Sequence, residues 1–413
     1  MNQNLERETH TSQEYSYGYL EAQAEKHGIH LSPSRDQVWS KLEAESRNIE
    51  KSPLYKPEDK TDPTMRPVVI FHKAFIKPML STASDAFRPT PEDTHQLGRQ
   101  LLSPEGVTFV ISIAQCKTLS PRRTGSPDAV IDFAELEMYS NLATVTSTAR
   151  EMGMNLRFVL LDEGTIFPDT NILGIKKDHI ATNRKIVGDF LSRRGVSDLV
   201  LVRDLDKSII GPLNSHFEPL HNERYVTYRD QINTQMAIAA STGSLDAAHK
   251  ATIEAFVLFD CIPDNELLRA GVDPSIRNIV NSPKDLPNIP AHVLDEVVSL
   301  AAHCEAVLSM RADAADAVSP HEIDKYPEHN PLGKISAGIT RKDSRISFLP
   351  HPTRFNGRTV FPMHGLAAYS DGNFRGFLPY SKTLELPEAE VVYSGENHKP
   401  LFVKINSEQD YGH

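Results

Sequence analysis

Lys117, Arg122 and Arg123 stand in one polar loop, and Asp132 and Glu135 follow at the opening of an apolar, periodic run. Two kinds of chemistry fit such a set. Lysine and arginine in a loop after a buried strand offer donors to an anion, above all a phosphate, beside the N-terminus of the next helix. Carboxylates at i and i+3 share a helix face, where they receive an ammonium group or pass protons. A structural account competes with both, because basic residues are common in solvated loops and acidic ones favour the positive end of a helix dipole.

His351 and His364 lie further along, with Arg345 ahead of them. Two imidazoles suit proton transfer or hydrogen bonds to a substrate. A facial iron triad would need a carboxylate two places ahead of a histidine, where Leu349 and Pro362 stand. No metal is therefore expected. Asp162 closes an apolar run as Asp162-Glu163-Gly164-Thr165. Aligned on Gly164-Thr165 with the aspartyl-phosphate phosphatases, the nucleophile's place falls to Leu161, which cannot form an acyl phosphate. Tyr225, Tyr228 and Arg229 form an aromatic run with one cation, which serves packing as readily as substrate binding. Gly-x-Gly-x-x-Gly, the P-loop, Gly-x-Ser-x-Gly and His-Glu-x-x-His are all absent from the sequence, so no cofactor is expected.

The elements that must position these residues are legible from periodicity. A buried strand runs from Val107 to Ala114. Asp132 stands as an N-cap, and Phe133, Leu136, Tyr139, Leu142 and Val145 recur at i+3 along a helix that ends near Gly153. Leu156 to Leu161 predicts a second strand, Lys177 to Arg194 a helix, and Asp198 to Val202 a third strand ending at Arg203-Asp204. Strands alternating with helices predict an α/β fold with a Rossmann-like, mostly parallel sheet, whose ligands bind outside the carboxyl ends of the strands. The loop holding Lys117 occupies such an end.

From about Gly211 to Ala317 the pattern is helical. From Lys334 it changes to short alternating runs separated by Asn-Gly, Asp-Gly and Ser-Gly, which predict a C-terminal antiparallel β region. The expected division is a polar, loosely docked N-terminal arm over 1–66, a Rossmann-like core with its helical segment over 67–330, and a β-hairpin region over 331–413 that completes the site. Within the arm a helix is expected around Asp36 to Ile49, with Trp39 and Leu42 on one face.

The whole chain, 413 residues with a formal net charge of -11, is large enough for a sizeable core. Its acidity argues against nucleic acid or an anionic membrane as partner. No run approaches the roughly 18 apolar residues of a membrane span, and the opening residues lack a signal peptide's apolar centre. A cytoplasmic location is expected. Cys116, Cys261 and Cys304 are odd in number and lack CxxC spacing, as reduced thiols would.

Taken in order, several short pieces resemble the pyoverdine/dityrosine biosynthesis family, the isonitrile (isocyanide) synthases. They are Lys117-Thr118, Asp132-Phe133-Ala134-Glu135, Asp162-Glu163-Gly164, Arg345-Ile346-Ser347 with His351-Pro352, Pro362-Met363-His364 and Asp371-Gly372. The likeness runs from about Val107 to Lys404. Two departures stand out: Thr118 follows the lysine where the family usually has Lys-Ser-Pro-Asn, and Met363 precedes the second histidine where Trp is usual.

The resemblance implies that the amine of an amino acid, often tyrosine or tryptophan, condenses with the C2 ketone of ribulose 5-phosphate, whose C2 becomes the isonitrile carbon. It implies no metal and no redox cofactor, and a downstream Fe(II)/2-oxoglutarate oxygenase in the same pathway. On this scheme Lys117 with Arg122 or Arg123 suits the phosphate, Asp132 and Glu135 the ammonium and proton transfers, and His351 and His364 acid-base steps on the sugar. Asp162, Arg345, Tyr228 and Arg229 would complete the substrate contacts. Three other readings stay open: an N-formyl product, a phosphosugar lyase or isomerase using Lys117 as a Schiff base, and a non-catalytic amino-acid binder.

Overall fold

The computed structural model describes residues 16–31, 33–53, 55–79, 91–104, 106–113, 117, 124–126, 128–162, 177–204, 217–244, single positions between 287 and 313, 336–338, 345–347, 354–355, 358–359, 362–395 and 399–406. The chain opens with helices α1 (Tyr17–His27) and α2 (Arg35–Arg47). A helical run follows through α3 (Met65–Phe71), a π-helical segment (His72–Ile76) and Lys77–Met79. After α4 (Pro91–Gln100) come β1 (Val107–Ile113), α5 (Phe133–Glu151), β2 (Leu156–Asp162), α6 (Lys177–Arg193), β3 (Val200–Asp204) and α7 (Phe217–Thr242).

The rest of the described chain is mostly strand. It holds β4 (Ser336–Gly338), β5 (Arg345–Ser347), the short pair β6 (Arg354–Phe355) and β7 (Arg358–Thr359), and a 3-10 turn (Pro362–His364). Then come β8 (Leu366–Ser370), β9 (Asn373–Leu378), the one-turn helix α8 (Tyr380–Thr383), β10 (Ala389–Tyr393) and β11 (Pro400–Ile405).

The first sheet has the order β3-β2-β1-β4-β5, and every pair in it is parallel. From β1 the chain moves outward to β2 and β3, then returns to lay β4 on the other flank. The strand order therefore reverses between β1 and β4, which is where such sheets open a crevice at their carboxyl ends. The α/β class and the mostly parallel sheet read from sequence are what the structure shows. One pairing differs: β4 and β5 were expected as hairpin strands and instead extend the parallel sheet. Strands of three residues are too short for alternation to reveal their partners.

The second sheet, in the order β10-β11-β8-β9, is antiparallel except that β11 runs parallel to β8. Helix α5 touches β2 and β3 of the first sheet and β8 and β11 of the second. Being covered on both sides, it is buried around most of its circumference, Glu135 and Glu137 included. Phe133, at its start, meets the Phe402 ring edge-on at 5.1 Å and the Tyr369 ring at 6.3 Å.

The N-terminal helices are better anchored than the loosely docked arm expected of them. Ser16 caps α1, and a Ser34–Gln37 capping box opens α2. Tyr17, Leu20, Ile29, Val38, Leu42 and Ile49 are buried in the same core as β1 and β2. Each helix buries few residues against a large partner surface, so composition alone made the segment look peripheral. Trp39, expected beside Leu42, is instead 50% exposed. The His30 amide donates to the Gly372 carbonyl at 3.0 Å, and a Cβ on Gly372 would lie 2.0 Å from the Gly28 carbonyl oxygen. Only glycine fits that approach, and its φ of +75° suits glycine as well.

Candidate functional site

A strap, residues 128–132, carries the chain into α5. Asn183 of α6 holds it from one side: its Oδ1 accepts from the Ile131 amide at 2.9 Å and its Nδ2 donates to the Ala129 carbonyl at 3.0 Å. Lys399, ahead of β11, holds it from the other, donating to Asp128 Oδ1 at 2.7 Å and to the Val130 carbonyl at 2.5 Å. The Lys117 amide also donates to the Ala129 carbonyl, at 3.0 Å. Gly125 lies just ahead at φ +58°, where a Cβ would come within 2.9 Å of the Tyr380 ring.

The strap delivers Asp132 as the N-cap. Its Oδ1 accepts from the Ala134 amide at 2.9 Å, and Glu135 Oε2 accepts from the Asp132 amide at 3.0 Å, a complete capping box. The cap reading was right, yet it accounts for only one oxygen of each carboxylate. Lys117 occupies the space between them, fully buried. Its Nζ donates to Asp132 Oδ1 at 2.9 Å and to Glu135 Oε2 at 3.3 Å. It also reaches the Pro362 carbonyl at 3.1 Å and the Gly365 carbonyl at 2.6 Å, 245 and 248 residues away in the chain. Those two carbonyls bracket His364, which is half-buried.

Asp132 Oδ2 and Glu135 Oε1 are buried and have no hydrogen-bond partner. Buried acceptors in that condition are costly, and in native proteins they usually mark a place where a donor arrives. Two carboxyl groups crowd one ammonium in a fully buried volume, which favours a proton on one of them. Burial pushes the Glu135 carboxyl up to about 8, against the pull of Lys117 and with a further push from Asp132. At neutral pH Glu135 therefore holds a proton that it can donate.

Two residues along, Glu137 turns to the second sheet, where its Oε1 accepts from the Tyr369 hydroxyl at 2.6 Å in a fully buried contact. Burial, and then the nearby Glu137 charge, holds the Tyr369 phenol well above its ordinary range. This hydroxyl therefore stays a donor and ties α5 to β8.

Of the residues singled out from sequence, the structure brings Lys117, Asp132 and Glu135 into contact and sets His364 in the turn that Lys117 grips. Asp162 ends β2 level with Ile113 of β1 and is buried, and Arg184 of α6 donates to its Oδ2 at 3.2 Å. Arg345 is the first residue of β5, and Arg122, Arg123 and His351 lie outside the described residues. Tyr228 and Arg229 sit on α7. Arg229 donates to Asp295 Oδ1 at 2.5 Å and lies 6.0 Å from the Tyr225 ring centre. Neighbouring Arg224 and Tyr225 bond Ser309, Asp313 and Ser299, so this face of α7 meets four described positions, Asp295, Ser299, Ser309 and Asp313.

Sequence reasoning missed Asn183, Arg184, Lys399, Glu137 and Tyr369. Glu137 alone left a signal, a carboxylate inside an apolar helix. Among the described residues no group of three or more His, Cys, Asp or Glu could hold a metal ion, and no helix is long and apolar enough to cross a membrane.

No family model matches this chain, and no curated protein matches it. Among solved structures, the crystal structure of the PvcA protein from Pseudomonas aeruginosa is similar to it, at 16% identity and a TM-score of 0.48, over 82% of this chain and 99% of that one. A likeness of that degree carries no argument about function.

Proposed function

We propose that this chain is an enzyme of the isonitrile-synthase type, joining the amine of an amino acid to the C2 ketone of ribulose 5-phosphate and delivering that carbon as the isonitrile. The observation that carries the reading is the pair of buried oxygens without a partner among the described residues, Asp132 Oδ2 and Glu135 Oε1, at the start of the helix packed between the two sheets. An amino acid's ammonium supplies the donor that Asp132 Oδ2 lacks, and the substrate offers an acceptor to the proton on Glu135. The ordered motifs shared with the isonitrile synthases supply the choice of substrates.

The residues take the following parts. Asp132 receives the ammonium and accepts the proton that frees the amine for attack on the ketone. Glu135, protonated at neutral pH, donates to the carbinolamine hydroxyl as it leaves as water. His364 serves proton transfers on the sugar carbons as their bonds break, and His351 is assigned the same work. Arg122 and Arg123 are assigned the phosphate, whose binding energy holds the ketone in place. The amino acid is proposed to be aromatic, tyrosine or tryptophan.

The test is incubation with ribulose 5-phosphate carrying carbon-13 at C2 and each of the twenty amino acids, read by mass spectrometry. The expected product gains one labelled carbon and loses two hydrogens relative to the neutral amino acid. Gain of one labelled carbon and one oxygen would replace the isonitrile with the N-formyl product. If no amino acid acquires the label, the proposal fails.

A further inference from the structure

The surroundings of Lys117 deepen that reading and rest on it. An ammonium has three N–H bonds and accepts nothing. Here Nζ faces four oxygens within 3.3 Å, two on 132–135 and two on 362–365, and the side chain is fully buried. No donor is left for a phosphate oxygen. A nitrogen that donates on so many sides also turns no lone pair towards a carbonyl, as a Schiff-base lysine must.

We propose that Lys117 is a positioning residue: by holding one oxygen of each carboxylate and both carbonyls that bracket His364, it fixes the spacing between the two unpartnered oxygens and the histidine turn. This role differs from the phosphate contact expected from its place after β1. It also explains why a lysine in a loop should be buried at the junction of two sheets. Its reach sets the separation, and its charge keeps two adjacent carboxyls in one small volume.

The test uses Lys117→Met, which keeps the side chain's length and removes its charge and donors. In the labelled-carbon assay kcat should fall about 100-fold, the scale of displaced acid-base groups, while KM for ribulose 5-phosphate moves less than about threefold. The pH limb belonging to Glu135 should move upward, since Lys117 is what draws that carboxyl down. The charged groups that act on Glu135 are Lys117 and Asp132. Without any substrate, amide hydrogen exchange over residues 362–365 should quicken in the variant while β10 and β11 stay protected.

A tenfold rise in KM with kcat preserved would make Lys117 a phosphate contact and overturn the proposal. Unchanged exchange over 362–365 would also overturn it. Two measurements on the wild-type protein hold even if the variant does not fold. Reductive methylation should spare Lys117 while exposed Lys60 reacts, and borohydride with ribulose 5-phosphate should leave no adduct on Lys117. Modification in either case refutes the positioning role. If wild-type protein makes no labelled product, the reaction falls, yet exchange and methylation still decide what Lys117 does.

Discussion

Two lysines among the described residues are fully buried, Lys117 and Lys399, and their surroundings differ. Lys399 donates to one carboxylate, Asp128, and one carbonyl, that of Val130. Lys117 donates to two carboxylates and two carbonyls, and each carboxylate keeps a buried oxygen without a partner. Asp128 keeps 17% of its side chain in solvent, whereas Asp132 and Glu135 are buried with one oxygen each left open. Burying polar groups is unfavourable unless they are fully bonded, so an ion pair that reaches solvent reads as a clamp and a buried cluster with open oxygens as a receiver.

The largest effect that would separate them is on turnover. Glu135→Gln and His364→Ala are each expected to lower kcat by roughly 100-fold or more. The double variant should lose far less than the product of the two, because groups acting on one adduct are not additive. Full additivity in the labelled-carbon assay would put the two residues at separate sites.

Lys399→Met should act on stability instead. Removing one member of a largely buried pair takes from Asp128 the ammonium 2.7 Å away and is expected to cost about 3 kcal/mol, read from the urea midpoint. A loss below about 0.5 kcal/mol, the scale of exposed pairs, would end the clamp reading.

Between these lies a pH effect. The Glu135 carboxyl titrates at about 8 in the folded protein against an ordinary 4.5, so between those limits the native state holds a proton that the unfolded chain has released. Stability therefore falls as pH rises from about 4.5 to about 8, by linkage. Glu135→Gln should flatten that slope, by roughly 2 to 4 kcal/mol across the window. Parallel stability curves for the two proteins would show that Glu135 is charged throughout.

The smallest expected effect is that of Gly125→Ala, which forces a side chain into left-handed backbone against the Tyr380 ring. A cost of about 1 to 2 kcal/mol in thermal unfolding is expected, with the ring shifting to relieve part of it.

What the sequence disclosed follows the range of each interaction. Asp132 and Glu135 were legible because an N-cap and an i+3 carboxylate are local signals. The three parallel strands were legible because buried runs alternate with helices. The grip of Lys117 on the 362–365 turn was not legible, because its carbonyl partners, Pro362 and Gly365, lie 245 and 248 residues away and carry no side-chain signature. Asn183 and Lys399 escaped for the same reason, since both act on the main chain of a strap far from them in sequence. Tyr228 and Arg229 drew notice by composition, which gave no sign that Arg229 would bond Asp295, 66 residues away.

The junction of His30 with Gly372 bears on how the chain is made. Synthesis delivers α1 long before the hairpin at Gly372, which bonds His30, and Phe402, whose ring meets His27 edge-on at 5.3 Å. For most of its time on the ribosome the nascent chain carries α1 without its final cover. Such late, long-range closure slows folding and prolongs the exposure of apolar surface. Chaperone capture during translation should accordingly fall off only once residues near 400 have emerged.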